Sequence, residues 1–195
     1  MSFKVLCLAT LVALVPVAAH AEENLPQAQS VKKSPAERRA AIDASAAETL
    51  ADIYKKYPAA RGQIARAAGY AAFHCGGIQL MFLGAGGGEG VAVSHGRKTY
   101  MNMIQGKVGL GLGAKETREV WVFTRARAYD RFVNSGWSAD ASADATAKAG
   151  KAGGQIAGAV RMGDEVYVYQ FTENGLNAEA TVAGSKYSRE DELNK

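Results

Sequence analysis

The stretch FLGAGGGEGVAV, from Phe82 to Val93, places five glycines within twelve residues. Glycine-rich runs bind phosphates when a lysine and a serine or threonine follow and a helix begins there. This run has neither feature, so it is not a phosphate-binding loop. Val91 and Val93 alternate with Gly90 and Ala92, which is the two-residue period of a strand. The stretch therefore predicts a strand whose bare face lets another backbone, a helix or an acyl chain approach closely.

A second glycine-rich run, GLGLGA from Gly109 to Ala114, matches the dinucleotide pattern G-x-G-x-x-A, with Asp130 further along. That pattern binds a nucleotide only when a helix begins at the glycines. Here KETREVWVF follows, which is typical of a turn and then a strand. Val108, Leu110 and Leu112 also alternate with the glycines. The run predicts a second strand and not a nucleotide site.

Helical patterns come before the strands along the chain. The letters SPAE place Ser34 as the N-cap of a helix, with proline at its first position and Glu37 at its third. This helix runs to the residue before Pro58, and a shorter one, AARGQIARAA, follows. From Gly69 onward we expect short strands and one short helix, ARAYDRFVN. The predicted strands are YAAFH, IQLMFL, EGVAVS, TYMNMI, KVGLGLG, EVWVFT, GQIAGAV, EVYVYQF and LNAEATVAG. Short links between strands favour antiparallel pairing, so the sequence predicts an α+β fold.

The first 21 residues have the pattern of a signal peptide. Lys4 precedes the apolar run VLCLATLVALVPVAA, and AHA then forms a small-x-small cleavage site at Ala21. The run is shorter than the ~20 residues of a membrane span, although an uncleaved anchor is the alternative. We expect a flexible leader over residues 22–33 and a single domain over 34–195. Export through this signal would place the protein in a periplasm.

Few side chains suggest catalysis or metal binding. After cleavage Cys75 is the single cysteine, so it cannot form an internal disulfide, and it fits a small buried hydrophobe. His74 and Cys75 are adjacent and face opposite sides of a strand, and no second cysteine completes a metal motif. A Cys75–His95 hydrolase stays as a minor alternative. Asp140 and Asp144 share a strand face, as a carboxylate pair or a solvated edge. We expect no enzyme, no metal and no cofactor.

Basic residues are the remaining signal. The net charge is +4 and the isoelectric point is about 9.0, which is compatible with an anionic membrane surface or with nucleic acid and is too weak to choose between them. Cations at the start of a helix oppose its dipole, so those before Ile42 do not serve helix stability. They form either a solvated face or the basic side of a membrane-binding amphipathic helix. The candidate lipid-binding residues are Lys32, Lys33, Arg38, Arg39, Lys55, Lys56 and Arg61. The apolar face of the same helix, Ile42, Leu50, Ile53 and Tyr54, either inserts into the membrane or packs on the sheet.

The order and spacing of five blocks resemble the SYLF-domain family of lipid-binding proteins, over residues 48–190. These blocks are ARAAGYAAF, GGGEGVAV, GKVGLGLGAKETREVWVF, RFVNSGWSADASADATA and YQFTENGLNAEATVAGSKYSR. The resemblance implies a strongly curved, mostly antiparallel or barrel-like sheet packed with helices. It also implies a non-enzymatic module that binds phospholipid, with exported bacterial members.

Three positions depart from the pattern of that family. His74 stands where the family usually has proline, Ile78 where it has lysine, and TYMNMI replaces its tryptophan-serine-x-proline block. A phosphoinositide site is therefore not carried over. The preferred hypothesis is a lipid-binding protein of the bacterial cell envelope that associates with an anionic membrane and binds no nucleic acid. The alternative is an envelope structural or stress protein that binds another protein.

Overall fold

The computed structural model describes residues 33–138, 155–156, 159–162, 164–172, 175–176 and 184–195. Residues Lys33–Lys195 form one compact unit. The predicted signal peptide, the leader up to Lys32, and the pair Asp140 and Asp144 lie outside the described residues.

The two predicted helices are present. Helix α1 spans Pro35–Lys56 and begins with the expected capping box. The Ser34 backbone N–H donates to the Glu37 carboxylate at 2.8 Å, and the Glu37 N–H donates to the Ser34 hydroxyl at 3.3 Å. Helix α2 spans Pro58–Arg66. The proline that begins α2 cannot continue α1, so the first helix ends at Lys56 and Tyr57 has a non-helical backbone.

Six of the predicted strands are wrong as separate elements, because they join into two long strands. Strand β1 spans Gly69–Ser94 and strand β2 spans Arg97–Phe123. They pair antiparallel from Gly69 opposite Phe123 to Ser94 opposite Arg97, with one irregularity between Met81 and Leu83. The glycines that suggested breaks lie inside the ladder, because glycine lets a strand bend strongly without leaving it. Both glycine-rich runs are strand, as their two-residue alternation predicted.

The bare face of β1 contacts the first half of β1 itself. A methyl group added at Gly88 would meet the His74 carbonyl oxygen at 2.2 Å. One added at Gly90 would meet the Phe73 ring at 2.2 Å, and one at Gly86 would meet the carbonyl oxygen of Gly76 at 2.8 Å. Strand β1 therefore folds over so tightly that the two backbones touch. The glycines serve this contact within the strand, and neither a helix nor an acyl chain takes that space.

The remaining elements complete a curled antiparallel sheet around β2. Helix α3 spans Ala126–Ser135, as predicted. The smaller strands are β3 (Trp137–Ser138), β4 (Gln155–Ile156), β5 (Ala159–Met162), β6 (Val166–Thr172), β7 (Gly175–Leu176) and β8 (Ser185–Arg189), and a 3-10 helix spans Asp191–Asn194. Strand β8 pairs with the first part of β2 and β6 with its last part. Beyond these, β3 joins β8, while β5 and then β4 join β6.

Helices cover both faces of this sheet. Val120 and Val122 of β2 face the cluster that contains Ile53 of α1 and Ile64 of α2. Their neighbours in β2 face the opposite cluster, which contains the aromatic residues of α3. Because side chains alternate along a strand, β2 contributes residues to two separate cores, one on each face of the sheet. The observed fold is α+β, with amino-terminal helices packed on a curved antiparallel sheet, as the sequence predicted.

Candidate functional site

The apolar face of α1 packs on the sheet. Ile42 is 5% exposed and Ile53 is completely buried, while Leu50 and Tyr54 are half-buried against the same cluster. Withdrawing this face to insert into a membrane would remove the core on one side of the sheet. Of the two outcomes that the sequence left open, packing is the one observed. The polar side of α1 is the side that faces solvent.

The cations near the start of α1 are held by other parts of the chain. The Arg38 guanidinium donates to Glu89 of β1 through Nε at 3.1 Å and to Glu192 through Nη1 at 3.1 Å. Glu190 lies 3.7 Å from Nη2. We call these four residues the Arg38 cluster. The hydrogen bond to Glu89 raises the pKa of Arg38 above its ordinary value.

The neighbouring cations differ in their partners. Arg39 donates to the backbone carbonyl of Leu193 at 3.3 Å. Lys33 is exposed, and Lys32 lies outside the described residues. The first group of candidate residues therefore includes two arginines that tie α1 to the carboxyl-terminal segment.

The cations at the other end of α1 face solvent. Lys55, Lys56 and Arg61 are exposed, and so is Arg66 at the end of α2. We call these four residues the basic corner. Within the part of the chain that the structure describes, none of them forms an ion pair or a side-chain hydrogen bond. The Lys56 ammonium lies 4.6 Å from the centre of the Phe171 ring, and the Arg61 guanidinium lies 4.4 Å from that of Tyr54.

The charge of the basic corner is not cancelled by nearby sequence. No aspartate or glutamate occurs between Asp52 and Glu89. Asp52 itself is bound by the guanidinium of Arg118 on β2. Arg66 was not among the predicted residues, and this long interval without acidic residues is the signal that could have identified it. Positive charge gathered without counter-charges produces a local field that attracts anions.

The basic corner is a surface and not an enclosed pocket. A hollow of about 210 Å³ lies beside Arg66, between α2 and the sheet, with Gln63 and Tyr167 among its lining residues. Pockets for small ligands have volumes of roughly 300–1,000 Å³. Tyr54 and Tyr57 are half-buried beside the cations, and burial raises the pKa of Tyr54. Tyrosine with a buried ring and a polar tip suits a boundary between water and an apolar phase.

The histidines and the cysteine lie in different environments. Cys75 is 4% exposed in the core that packs on α3. His74 points the other way, with Nδ1 at 3.2 Å from the Ser45 hydroxyl and Nε2 at 3.2 Å from a Glu116 carboxylate oxygen. His95 is exposed in the turn between β1 and β2. Among the described residues, no three His, Cys, Asp or Glu side chains form a group that could hold a metal ion.

A buried carboxylate lies in the core that packs on α3. Glu119 of β2 is completely buried and accepts hydrogen bonds from the Tyr187 hydroxyl at 2.5 Å and from the Trp121 indole N–H at 3.3 Å. Gln170 donates to its other oxygen at 3.0 Å. Burial, followed by the charge of Glu119, raises the pKa of Tyr187 well above 10.0. With at least these three donors around it, this carboxylate stabilises the core and has no exposed surface for a substrate.

No helix in the described part of the chain is long and apolar enough to cross a membrane.

Comparison with known proteins gives a partial match. No protein-family model matches the chain. A curated relative from Aeromonas veronii, named Beta cell expansion factor A, is 32% identical to this chain over 157 residues. The match covers 80% of this chain and 58% of the relative, so the chain spans a little over half the length of that protein.

Proposed function

We propose that this chain is a non-enzymatic lipid-binding protein of the bacterial cell envelope, and an exported member of the SYLF-domain family. In this proposal the signal peptide is removed near Ala21 and the mature protein associates with an anionic membrane surface from the periplasm. The observation that carries the proposal is the basic corner, where Lys55, Lys56, Arg61 and Arg66 face solvent without acidic partners among the described residues.

The proposed mechanism is electrostatic docking without insertion of α1. Each lysine or arginine near an anionic membrane contributes ~1 kcal/mol, and salt screens this attraction. Four such cations give about 4 kcal/mol, which is enough for reversible binding to a surface but not for a permanent anchor. The half-buried Tyr54 ring lies beside the Arg61 guanidinium, and a tyrosine with a buried ring and a polar tip suits contact with a headgroup layer.

Co-sedimentation with lipid vesicles tests the proposal. The chain from residue 22 onward is mixed with vesicles of phosphatidylglycerol and phosphatidylcholine, and with vesicles of phosphatidylcholine alone. We expect binding to the anionic vesicles only. Binding should weaken strongly from about 0.1 M to about 1 M salt, because the Debye length falls from about 10 Å to about 3 Å. Equal binding to both kinds of vesicle, or binding to neither, would contradict the proposal.

A further inference from the structure

A second cation-lined feature lies on the opposite face of the sheet from α1 and α2. A cleft of about 380 Å³ opens between α3, the end of β2 and the turn from β5 to β6. Its volume lies at the small end of the range for ligand pockets. Such a cleft can hold one small molecule and is too small for a phospholipid with two acyl chains.

The floor of the cleft is aromatic. Trp121 and Phe123 come from β2, Phe132 comes from α3, and Trp137 follows that helix. The Trp121 ring centre lies 5.2 Å from that of Phe132 and 5.1 Å from that of Trp137. Met162 and Val166 complete the apolar wall. Trp121, Phe123 and Phe132 are each no more than 3% exposed, so the floor is formed before a ligand arrives, and the half-buried Trp137 and Val166 supply its accessible apolar surface.

The rim of the cleft is basic. Arg127 and Arg131 of α3 line one side, and Glu165 lies on the turn opposite them. The Arg127 Nε donates to Glu165 at 2.8 Å, and this bond lowers the pKa of the Glu165 carboxyl. Arg125 and Arg131 lower it further through their charge. Three arginines thus surround one carboxylate, so the rim keeps excess positive charge.

Arg131 has the position and the freedom to bind an anion. It is exposed at the rim, and no side chain in the described part of the structure pairs with it. The other acidic residue at the rim, Asp164, is already paired with Arg161 at 2.9 Å. A guanidinium above an apolar cleft can form two parallel hydrogen bonds to a carboxylate or phosphate while the rest of the ligand is buried below it.

We propose that this cleft binds one small amphiphilic anion, a molecule with a single apolar chain and one carboxylate, whose head is held by Arg131 and whose chain lies on the aromatic floor. The complementarity of an unpaired guanidinium with an apolar floor carries this choice of ligand. The inference does not rest on membrane docking, because the cleft and the basic corner lie on opposite faces of the sheet and share no residue.

Tryptophan fluorescence tests the proposal directly, because the chain has two tryptophans and both line the cleft. The probes are decanoate below its micelle concentration, decanol, and decyltrimethylammonium, which share one chain length and differ in charge. We expect a saturable change in emission with decanoate and a dissociation constant about tenfold higher for decanol, because a charge-assisted hydrogen bond is lost. The cation should not bind. Equal affinity for decanoate and decanol, or no saturable change below about 1 mM, would overturn the proposal.

Variants locate the site. Arg131→Gln should weaken decanoate binding about tenfold, whereas Arg66→Gln, on the basic corner, should not change it. Ala128→Leu fills part of the cleft from α3 and should abolish binding of decanoate and decanol alike. If Ala128→Leu fails to fold, Arg131→Gln still decides, because it changes an exposed side chain. Unchanged decanoate affinity in Arg131→Gln contradicts the proposal for this cleft. That result would not bear on vesicle binding at the basic corner, which is a separate proposal.

Discussion

The two ends of helix α1 carry similar positive charge and use it differently. Near the start, Arg38 is surrounded by Glu89, Glu190 and Glu192 and ties the helix to distant parts of the chain. Near the end, Lys55 and Lys56 face solvent beside α2, with no acidic partner in the described structure. A basic residue on an amphipathic helix is therefore weak evidence for membrane binding until its partners are known. Internal partners make it a structural residue, whereas their absence leaves it available to a ligand.

The largest effect on stability is expected at Arg38. Its side chain is 21% exposed, so its ion pairs are only partly screened. Arg38→Ala leaves three carboxylates close together and should lower the free energy of unfolding by about 2 kcal/mol. Arg38→Lys should recover part of the lost free energy of unfolding, because it restores the charge but not the planar set of guanidinium N–H donors. Denaturant unfolding measures both changes.

The vesicle affinity of Arg38→Ala tests whether the two ends of α1 differ in membrane binding. Because Arg38 is engaged internally, Arg38→Ala should bind anionic vesicles within about twofold of the unmodified protein. A loss of vesicle affinity without a loss of stability would show that this end of α1 binds the membrane.

A smaller effect on stability is expected at Arg61, together with a larger effect on vesicle affinity than at Arg38. Its guanidinium stacks on Tyr54 at an exposed site, so Arg61→Gln should cost only about 0.5 kcal/mol of stability. Its affinity for anionic vesicles should fall about fivefold, which corresponds to ~1 kcal/mol for one surface cation. Arg61→Lys is the matched control and should keep the affinity. If Arg61→Gln binds vesicles as well as the unmodified protein, this residue has no part in docking.

The smallest expected effect is on the free energy of unfolding at acid pH. Hydrogen bonds from Ser34 lower the pKa of Glu37 below its ordinary value of 4.5. A carboxyl with a lowered pKa in the folded state stabilises the fold above its unfolded value, and this contribution disappears as the pH falls through the folded value. The unfolding free energies of the unmodified protein and Glu37→Gln should therefore converge below pH about 4.5. Parallel curves for Glu37→Gln would exclude this role of the capping box.

Local sequence was enough to predict the helices and the alternation of the strands. The capping box at Ser34 and the proline at position 58 depend on residues within one turn. The two-residue period of the glycine-rich runs likewise indicated strand. What the sequence did not show is that β1 folds over itself, because the contact of Gly88 with His74 depends on a bend distributed over many residues.

The candidate site was predicted as a set of charges but not as a surface. Glu89 lies 51 residues from Arg38 along the chain, and Glu192 lies 154 residues away. Pairing over such separations is set by the tertiary fold and has no local pattern. Arg66 belongs to α2, and its exposure depends on how that helix packs on the sheet, which likewise has no local pattern.

The most direct test of the account compares two double charge reversals in the vesicle assay. Lys55→Glu with Lys56→Glu changes the basic corner, and Lys186→Glu with Arg189→Glu makes the same change in net charge at exposed residues of β8. We predict that the first pair weakens binding to anionic vesicles by at least about tenfold, while the second changes it by no more than about twofold. Equal loss in both pairs would mean that only net charge matters, and would contradict the basic corner as the docking surface.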